Sequence, residues 1–374
     1  MSPRVLIVTR NLPPLVGGME RLNWHMAQEL ARRSEVRVIG PAGAAASAPA
    51  GVPVIEVPLR PLGKFLGLAQ LQALREARRF RPGLVLAGSG LTAPLALLAA
   101  RRVGARAAVY VHGLDLAVAH PLYRRLWLPA LRRMDRVIAN SHATRTLALK
   151  AGIDAARIGI VHPGVEVPAS LPGDDAVRAF RQRHGLGERP LLLSVGRLSE
   201  RKGIREFVVD VLPHIVAARP DVLFVVIGAA PADALHAKAQ TPAQILEEVR
   251  RAGVAGHVHF LGSIDDAELS VAYRASAVHV FPIRELPGDP EGFGMVAVEA
   301  AAHGLPTVAY ATGGVVDAVA GGVSGCLVPP GDTAAFARAV LKLLAQPLEE
   351  AGIRVFAERF NWDEFGKRLW LVLT

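Results

Sequence analysis

Glu291 and Glu299 stand two helical turns apart in the segment Glu291-Gly292-Phe293-Gly294-Met295-Val296-Ala297-Val298-Glu299. Gly292 and Gly294 expose backbone N–H groups where a helix would begin, and the positive end of its dipole suits an anion. Glu299 falls on the same face as Glu291 in an otherwise apolar helix, where a carboxylate is costly unless something hydrogen-bonds it. A pair of sugar hydroxyls would do so. The competing structural reading is that Glu291 only caps the helix and Glu299 pairs with an arginine.

A second segment, Ser194-Val195-Gly196-Arg197-Leu198-Ser199-Glu200-Arg201-Lys202-Gly203, places Arg197 just after a strand and Lys202 near the next helix start. An arginine fork beside a lysine point charge suits a diphosphate, although solvated loop cations would look the same. Gly17-Gly18-Met19-Glu20 reads as a turn that lets amides approach an anion, or simply as a tight turn. In Val109-Tyr110-Val111-His112-Gly113-Leu114-Asp115, His112 ends a strand. It is either a polar substrate contact, with Asp115 beside it, or a satisfied core histidine.

The elements that must position these residues alternate along the chain. Short apolar runs predict strands at Val5–Thr9, Val36–Ile39, Val54–Val57, Leu84–Ala87, Ala107–Val111, Val137–Ala139 and Ile158–Val161. After a Pro-, Gly- and Asp-rich pause at Val165–Asp175, which is the expected linker, they resume at Leu191–Val195, Leu223–Ile227, Val258–Leu261, Val278–Phe281, Thr307–Tyr310 and Cys326–Val328. Helical periodicity fills the gaps, including Met19–Arg33, Leu68–Phe80, Gly203–Ala218, Pro242–Ala252, Asp266–Arg274, Met295–His303 and Thr333–Leu344. The pattern predicts an α/β protein of two doubly wound domains with a cleft between them, ligands binding at the carboxyl ends of the strands.

Composition narrows the function classes. The 374 residues suffice for two domains, and 51% apolar with 20% charged residues excludes a disordered chain. The single cysteine, Cys326, excludes an internal disulfide and any metal site built on several thiolates, and fits a reducing compartment. Met1–Val8 runs into a strand without a secretory pattern, and the apolar stretch Leu91–Ala100 is half a membrane span interrupted by Pro94. A cytoplasmic protein is expected, with attachment to the inner face of the cytoplasmic membrane left open.

Residues 1–170 carry 23 Lys+Arg against 9 Asp+Glu, a balance of +14, whereas residues 171–374 balance at −4. That asymmetry fits a polyanionic partner, though Arg exceeding Lys by 37 to 6 also fits a GC-rich genome. In Leu68–Arg81, Leu71, Leu74 and Arg78 share a helical face with Arg75, Arg79 and Arg81 around it. This suits an anionic bilayer, or else the leucines pack on the sheet and the arginines are solvated. With 5% aromatic residues and no nucleic-acid motif, a nucleic-acid partner is not expected.

In this order, the segments resemble the retaining GT-B glycosyltransferases of family 4 over nearly the whole chain. The resemblance rests on Arg197 and Lys202 followed by Glu291-x7-Glu299, and on Gly17-Gly18-Met19-Glu20, His112-Gly113-Leu114-Asp115 and Asn140-Ser141. It also includes Thr312-Gly313-Gly314, Gly325-Cys326-Leu327-Val328-Pro329-Pro330-Gly331-Asp332 and Phe360-Asn361-Trp362. It implies an acceptor-binding domain at 1–170, a nucleotide-sugar-binding domain at 171–355, and a closing helix at 356–374 that returns toward the first.

The resemblance also implies roles. Arg197 and Lys202 would hold the donor diphosphate, Glu299 the ribose, and Glu291 with the amides of Phe293 and Gly294 the transferred sugar and phosphate. His112, Arg197, Lys202 and Glu291 would form the catalytic set. Gly18, Gly196, Ile264, Gly292, Met295 and Val296 would complete the donor contacts, and Gly17, Gly18, His112 and Asp115 would meet the acceptor.

The implied reaction is a metal-independent, configuration-retaining hexose transfer. The donor would be a GDP-, UDP- or ADP-linked sugar, and the acceptor a hydroxyl of a lipid-linked, glycan or small-molecule compound. No cofactor is implied, and no Asp-x-Asp metal motif is present. Within the family, the chain resembles the subgroup of lipid- or polysaccharide-directed mannosyltransferases. The rivals are a nucleotide-sugar epimerase of the same architecture and a non-catalytic nucleotide-sugar-binding protein.

Three departures stand out. Gly228-Ala229-Ala230-Pro231 replaces a Gly-x-Gly-Pro turn, Pro163-Gly164-Val165-Glu166 replaces Asn-Gly-Val-Asp, and the Gly-Gly loop ends in Asp317. Ala232–Pro242 and Arg284–Pro290 read as lengthened loops.

Overall fold

Residues 3–118, 120–230 and 240–374 are described by a computed structural model of the chain. Seven apolar segments form the strands of the first unit: β1 (Arg4–Val8), β2 (Glu35–Pro41), β3 (Val54–Val57), β4 (Leu84–Ala87), β5 (Arg106–Val111), β6 (Arg136–Ala139) and β7 (Ile158–Ile160). All pair in parallel, in the order β3-β2-β1-β4-β5-β6-β7. The second unit has β8 (Leu191–Val195), β9 (Leu223–Ile227), β10 (Val258–Gly262), β11 (Val278–Phe281), β12 (Thr307–Tyr310) and β13 (Gly325–Val328), in the order β10-β9-β8-β11-β12-β13. These are two Rossmann-like doubly wound sheets, as the alternation of apolar runs and helical stretches predicts.

Near-continuous apolar strands are what a parallel sheet covered on both faces requires. Leu6, Ile7, Val8, Val85, Leu86 and Val109 are all fully buried. Helix 62–80 closes on this sheet through Phe65, Ala69, Ala73 and Ala77, a stripe at four-residue spacing whose small side chains allow close approach. Around the second sheet, Phe207, Phe224 and Phe336 form an aromatic cluster with ring centroids 4.7 and 5.8 Å apart.

The chain passes between units at Gly164 to Val165 and at Asn361 to Trp362, some residues from the expected 170 and 355. The physical reason lies in Val165, which is buried and donates its amide to the Phe360 carbonyl at 2.7 Å inside the second unit. The expected linker is therefore partly core, and its last two residues, Asp174 and Asp175, already open helix 174–183. Helix 362–373 belongs to the first unit, where Trp362 stacks on His25 with centroids 3.8 Å apart.

The expected single helix Gly203–Ala218 is two, Ile204–Asp210 and Leu212–Ala218, because Pro213 cannot continue a helix interior. Helices 93–103, 121–132, 142–150 and 350–358 form in addition to the helical stretches named from the sequence. Among the described residues no helix is long and apolar enough to cross a membrane.

Candidate active site

In each sheet the strand order reverses beside the first strand of its unit, and a crevice forms where the loops on either side diverge. In the second unit those loops follow β8 and β11. The β8 loop carries Gly196, Arg197, Arg201 and Lys202, and the β11 loop carries Asp289, Glu291, Gly292 and Gly294. The topology thus brings the Arg/Lys segment to the Glu segment, nearly ninety residues apart in sequence.

The centre is an ion triad. Glu291 Oε2 accepts from Lys202 Nζ at 2.9 Å and lies 2.7 Å from an Arg201 guanidinium nitrogen. Burial alone would raise the Glu291 pKa, but Arg201 and Lys202 outweigh it and hold the carboxyl at about 2. Burial pushes Lys202 below the ordinary lysine value, Glu291 opposes that, and Arg201 and Arg197 add to the lowering. The ammonium also sits 4.8 Å from the centre of the Phe281 ring, a cation–π contact. Glu291 therefore does not cap the following helix.

Arg197 is exposed and makes no ion pair among the described residues. Arg197 and Lys202 line a small cavity with Ser194, Gly196 and Phe281. One cation is thus locked in a triad and the other is free to meet an anion. Arg201 was not singled out from the sequence, where it looked like one more loop cation. The expected long loop Arg284–Pro290 explains its position: Asp289 lies 3.3 Å from Arg201, and the Pro290 carbonyl accepts from it.

The helix that follows, Met295–Ala302, starts at Gly294 with φ of 100°, a conformation open to glycine. Behind it, Gly313 and Gly314 pack against the backbone of Glu291 and Gly292. The Gly314 amide donates to the Glu291 carbonyl at 2.9 Å, and a β-carbon on Gly314 would lie 2.0 Å from the Gly292 carbonyl oxygen. This explains the Thr312-Gly313-Gly314 loop as a buttress.

Glu299 is buried and accepts a hydrogen bond from a tyrosine: Tyr273 Oη donates to Glu299 Oε2 at 3.2 Å. Ile264 and Val296 pack in the apolar cluster that also contains Tyr273, and Met295 lies in the cluster of Phe293 and Phe281. Leu198 donates its amide to Ala229 at 2.9 Å, so the altered turn at Gly228 still braces the β8 loop. Pro231, and the expected loop Ala232–Pro242 up to residue 239, lie outside the described residues.

In the first unit, His112 follows β5. Its Nε2 is 3.0 Å from the Gly88 carbonyl, which can only accept, so Nε2 carries the proton there and Nδ1 keeps the lone pair in the neutral ring. Asp115 accepts from the His112 amide at 2.9 Å and so shapes the turn. Gly17 and Gly18 open helix 18–31, beside Glu20, which accepts from the Asn11 side chain at 2.7 Å. Asn140 is buried at the end of β6, and Ser141 caps helix 142–150 by accepting from the Thr144 amide. Ser89, buried after β4, is a further polar residue at a strand end and carried no sequence signal.

Residues 16–167 match the family described as Glycosyltransferase Family 4, and residues 189–346 match Glycosyl transferases group 1. The chain is 31% identical to a GDP-mannose-dependent alpha-(1-6)-phosphatidylinositol monomannoside mannosyltransferase of Mycolicibacterium smegmatis, over 99% of this chain and 98% of that protein. The chain is a family 4 glycosyltransferase. This glycosyltransferase is also 31% identical to a D-inositol 3-phosphate glycosyltransferase of Gordonia bronchialis, over 96% of this chain and 86% of that one. Its GT-B fold matches Anabaena HepE, solved in complex with UDP and glucose, with a TM-score of 0.80 over 99% of each chain at 21% identity.

Proposed function

We propose that this glycosyltransferase moves a hexose, mannose from GDP-mannose in the first instance, to a hydroxyl of an inositol-bearing or glycan acceptor. In this reading the anomeric configuration is retained and no metal takes part. The Arg201–Lys202–Glu291 triad beside the free Arg197 at the crevice of the second unit carries the reading. The GDP-mannose-dependent relative favours the donor.

The barrier is one of charge. As the bond from the sugar C1 to the diphosphate oxygen breaks, the leaving group gains negative charge, which Arg197, Lys202 and the amides at Gly292–Gly294 are preorganised to receive. The acceptor oxygen bonds to C1 on the face the diphosphate leaves, and its proton passes to the departing phosphate. No strong base is then required of the protein, and His112 Nδ1 serves as a hydrogen-bond acceptor for a sugar hydroxyl. Glu299 holds the ribose hydroxyls, and Gly17, Gly18 and Asp115 shape the acceptor side.

Work at a membrane surface is part of the proposal. Helix 62–80 packs on helix 93–103, which packs on helix 121–132. Leu68 turns toward the core, but Leu71, Leu98, Leu122 and Leu126 are exposed across this layer among exposed Arg75, Arg78, Arg79, Arg101, Arg102, Arg124 and Arg125. Each basic residue near an anionic bilayer adds about 1 kcal/mol of attraction. The layer suits a lipid-linked acceptor at the inner face of the cytoplasmic membrane.

Incubation with GDP-mannose and phosphatidylinositol monomannoside or inositol 3-phosphate, with and without EDTA, tests the reading. Acceptor-dependent GDP release that persists in EDTA, with an α-linked product by NMR, is expected. Release of GDP without an acceptor points to the epimerase-like alternative, and no release with any nucleotide sugar points to a binding protein. Complete loss in EDTA, reversed by magnesium, contradicts the mechanism.

A further inference from the structure

Glu299 is one of two acidic residues in the donor segment, yet its side chain does not stand alone. Helix 266–275 supplies two hydroxyls at this place, one to Glu299 and one to His303 just past the end of helix 295–302. Tyr273, 2% exposed, donates to Glu299 Oε2 at 3.2 Å. Ser270 Oγ lies 2.8 Å from His303 Nε2, while His303 Nδ1 lies 2.8 Å from the Glu299 carbonyl oxygen. Since that carbonyl can only accept, Nδ1 carries the proton and Nε2 accepts from Ser270. The His303 ring in turn stacks on Tyr273, with centroids 5.0 Å apart and planes at 27°. Burial lowers the His303 pKa, so the ring stays neutral near pH 7.

The result is a closed frame: Ser270 fixes His303, His303 supports the Tyr273 ring and the end of the helix, and Tyr273 fixes one carboxylate oxygen. A buried carboxylate held in one orientation binds hydroxyls without first being ordered, and binding then retains more of the hydrogen-bond energy. We propose that Tyr273 is a positioning residue that aims the Glu299 carboxylate at the donor ribose and thereby sets recognition of ribose hydroxyls. This inference rests on the assignment of Glu299 to the ribose.

The test compares dissociation constants for GDP and 2′,3′-dideoxy-GDP by calorimetry in wild type, Tyr273→Phe, Glu299→Ala and the double variant. The ratio of the two constants isolates the ribose hydroxyls from the diphosphate and the base. Wild type should favour GDP strongly, Glu299→Ala should bring the ratio close to one, and Tyr273→Phe should lower it by roughly tenfold, the scale of one hydrogen bond to a charged group. In the Glu299→Ala background, Tyr273→Phe should change the ratio no further, because the two residues act as one unit. Steady-state kinetics should show a raised KM for GDP-mannose with kcat within about twofold of wild type, since the reacting phosphate is untouched. A merely structural tyrosine would weaken both nucleotides alike and leave the ratio intact, which overturns the inference. A wild-type ratio in Glu299→Ala removes the ribose assignment itself, and the inference with it.

Discussion

Replacing Lys202 and Arg197 separately by Ala distinguishes catalysis from stability at the same site. Lys202 makes a charge-assisted hydrogen bond to Glu291 at 2.9 Å, worth about 1.5–3 kcal/mol. Arg201 still holds Glu291 after the substitution, and the cost of burying the ammonium disappears, so a net loss of about 1–2 kcal/mol is expected. At roughly 2–4 °C per kcal/mol for a domain of this size, Tm falls by several degrees. Arg197 is exposed and makes no ion pair among the described residues, so Arg197→Ala should stay within about 0.5 kcal/mol of wild type. Turnover, measured as acceptor-dependent GDP release from GDP-mannose, should nevertheless fall roughly 10²–10³-fold in both, because each removes one preorganised donor to the leaving diphosphate. Near-normal turnover in either variant refutes the diphosphate assignment.

Acid stability should report the triad. The folded Glu291 value, about 2, lies below the ordinary 4.5, so its contribution of about 3 kcal/mol is complete above 4.5 and is lost as pH falls toward 2. Urea unfolding of Glu291→Gln between pH 6 and 3 should depend less steeply on pH than wild type by up to about one proton, and equal slopes would contradict the pairing. Gly314→Ala should cost about 1–3 kcal/mol and raise the donor KM, since its methyl meets the Gly292 carbonyl oxygen; unchanged Tm and KM would dismiss the buttress. Flotation with anionic and neutral vesicles should show a salt-sensitive preference for the anionic ones, weakened by Leu122→Asp with Leu126→Asp. Equal flotation removes the membrane surface and leaves the transferase reading intact.

The thirteen strands among the described residues were legible from short apolar runs, because the central strands of a parallel sheet are buried on both faces and read as consecutive apolar residues. Arg197, Lys202 and Glu291 were expected in loops after strands, where such a fold places its chemistry, and Glu299 on the apolar helix that follows, and the structure has them at those places in the fold. The sequence could not show that Arg201 joins Lys202 on Glu291, because the β8 and β11 loops become neighbours only once the strand order reverses between them. It gave no hint that Tyr273 donates to Glu299, nor that Gly88 decides which His112 nitrogen carries a proton. Local periodicity and composition are properties of adjacent residues and determine the elements. Hydrogen-bond and ion-pair partners come from residues distant in the chain, and only the packed sheets decide which of them meet.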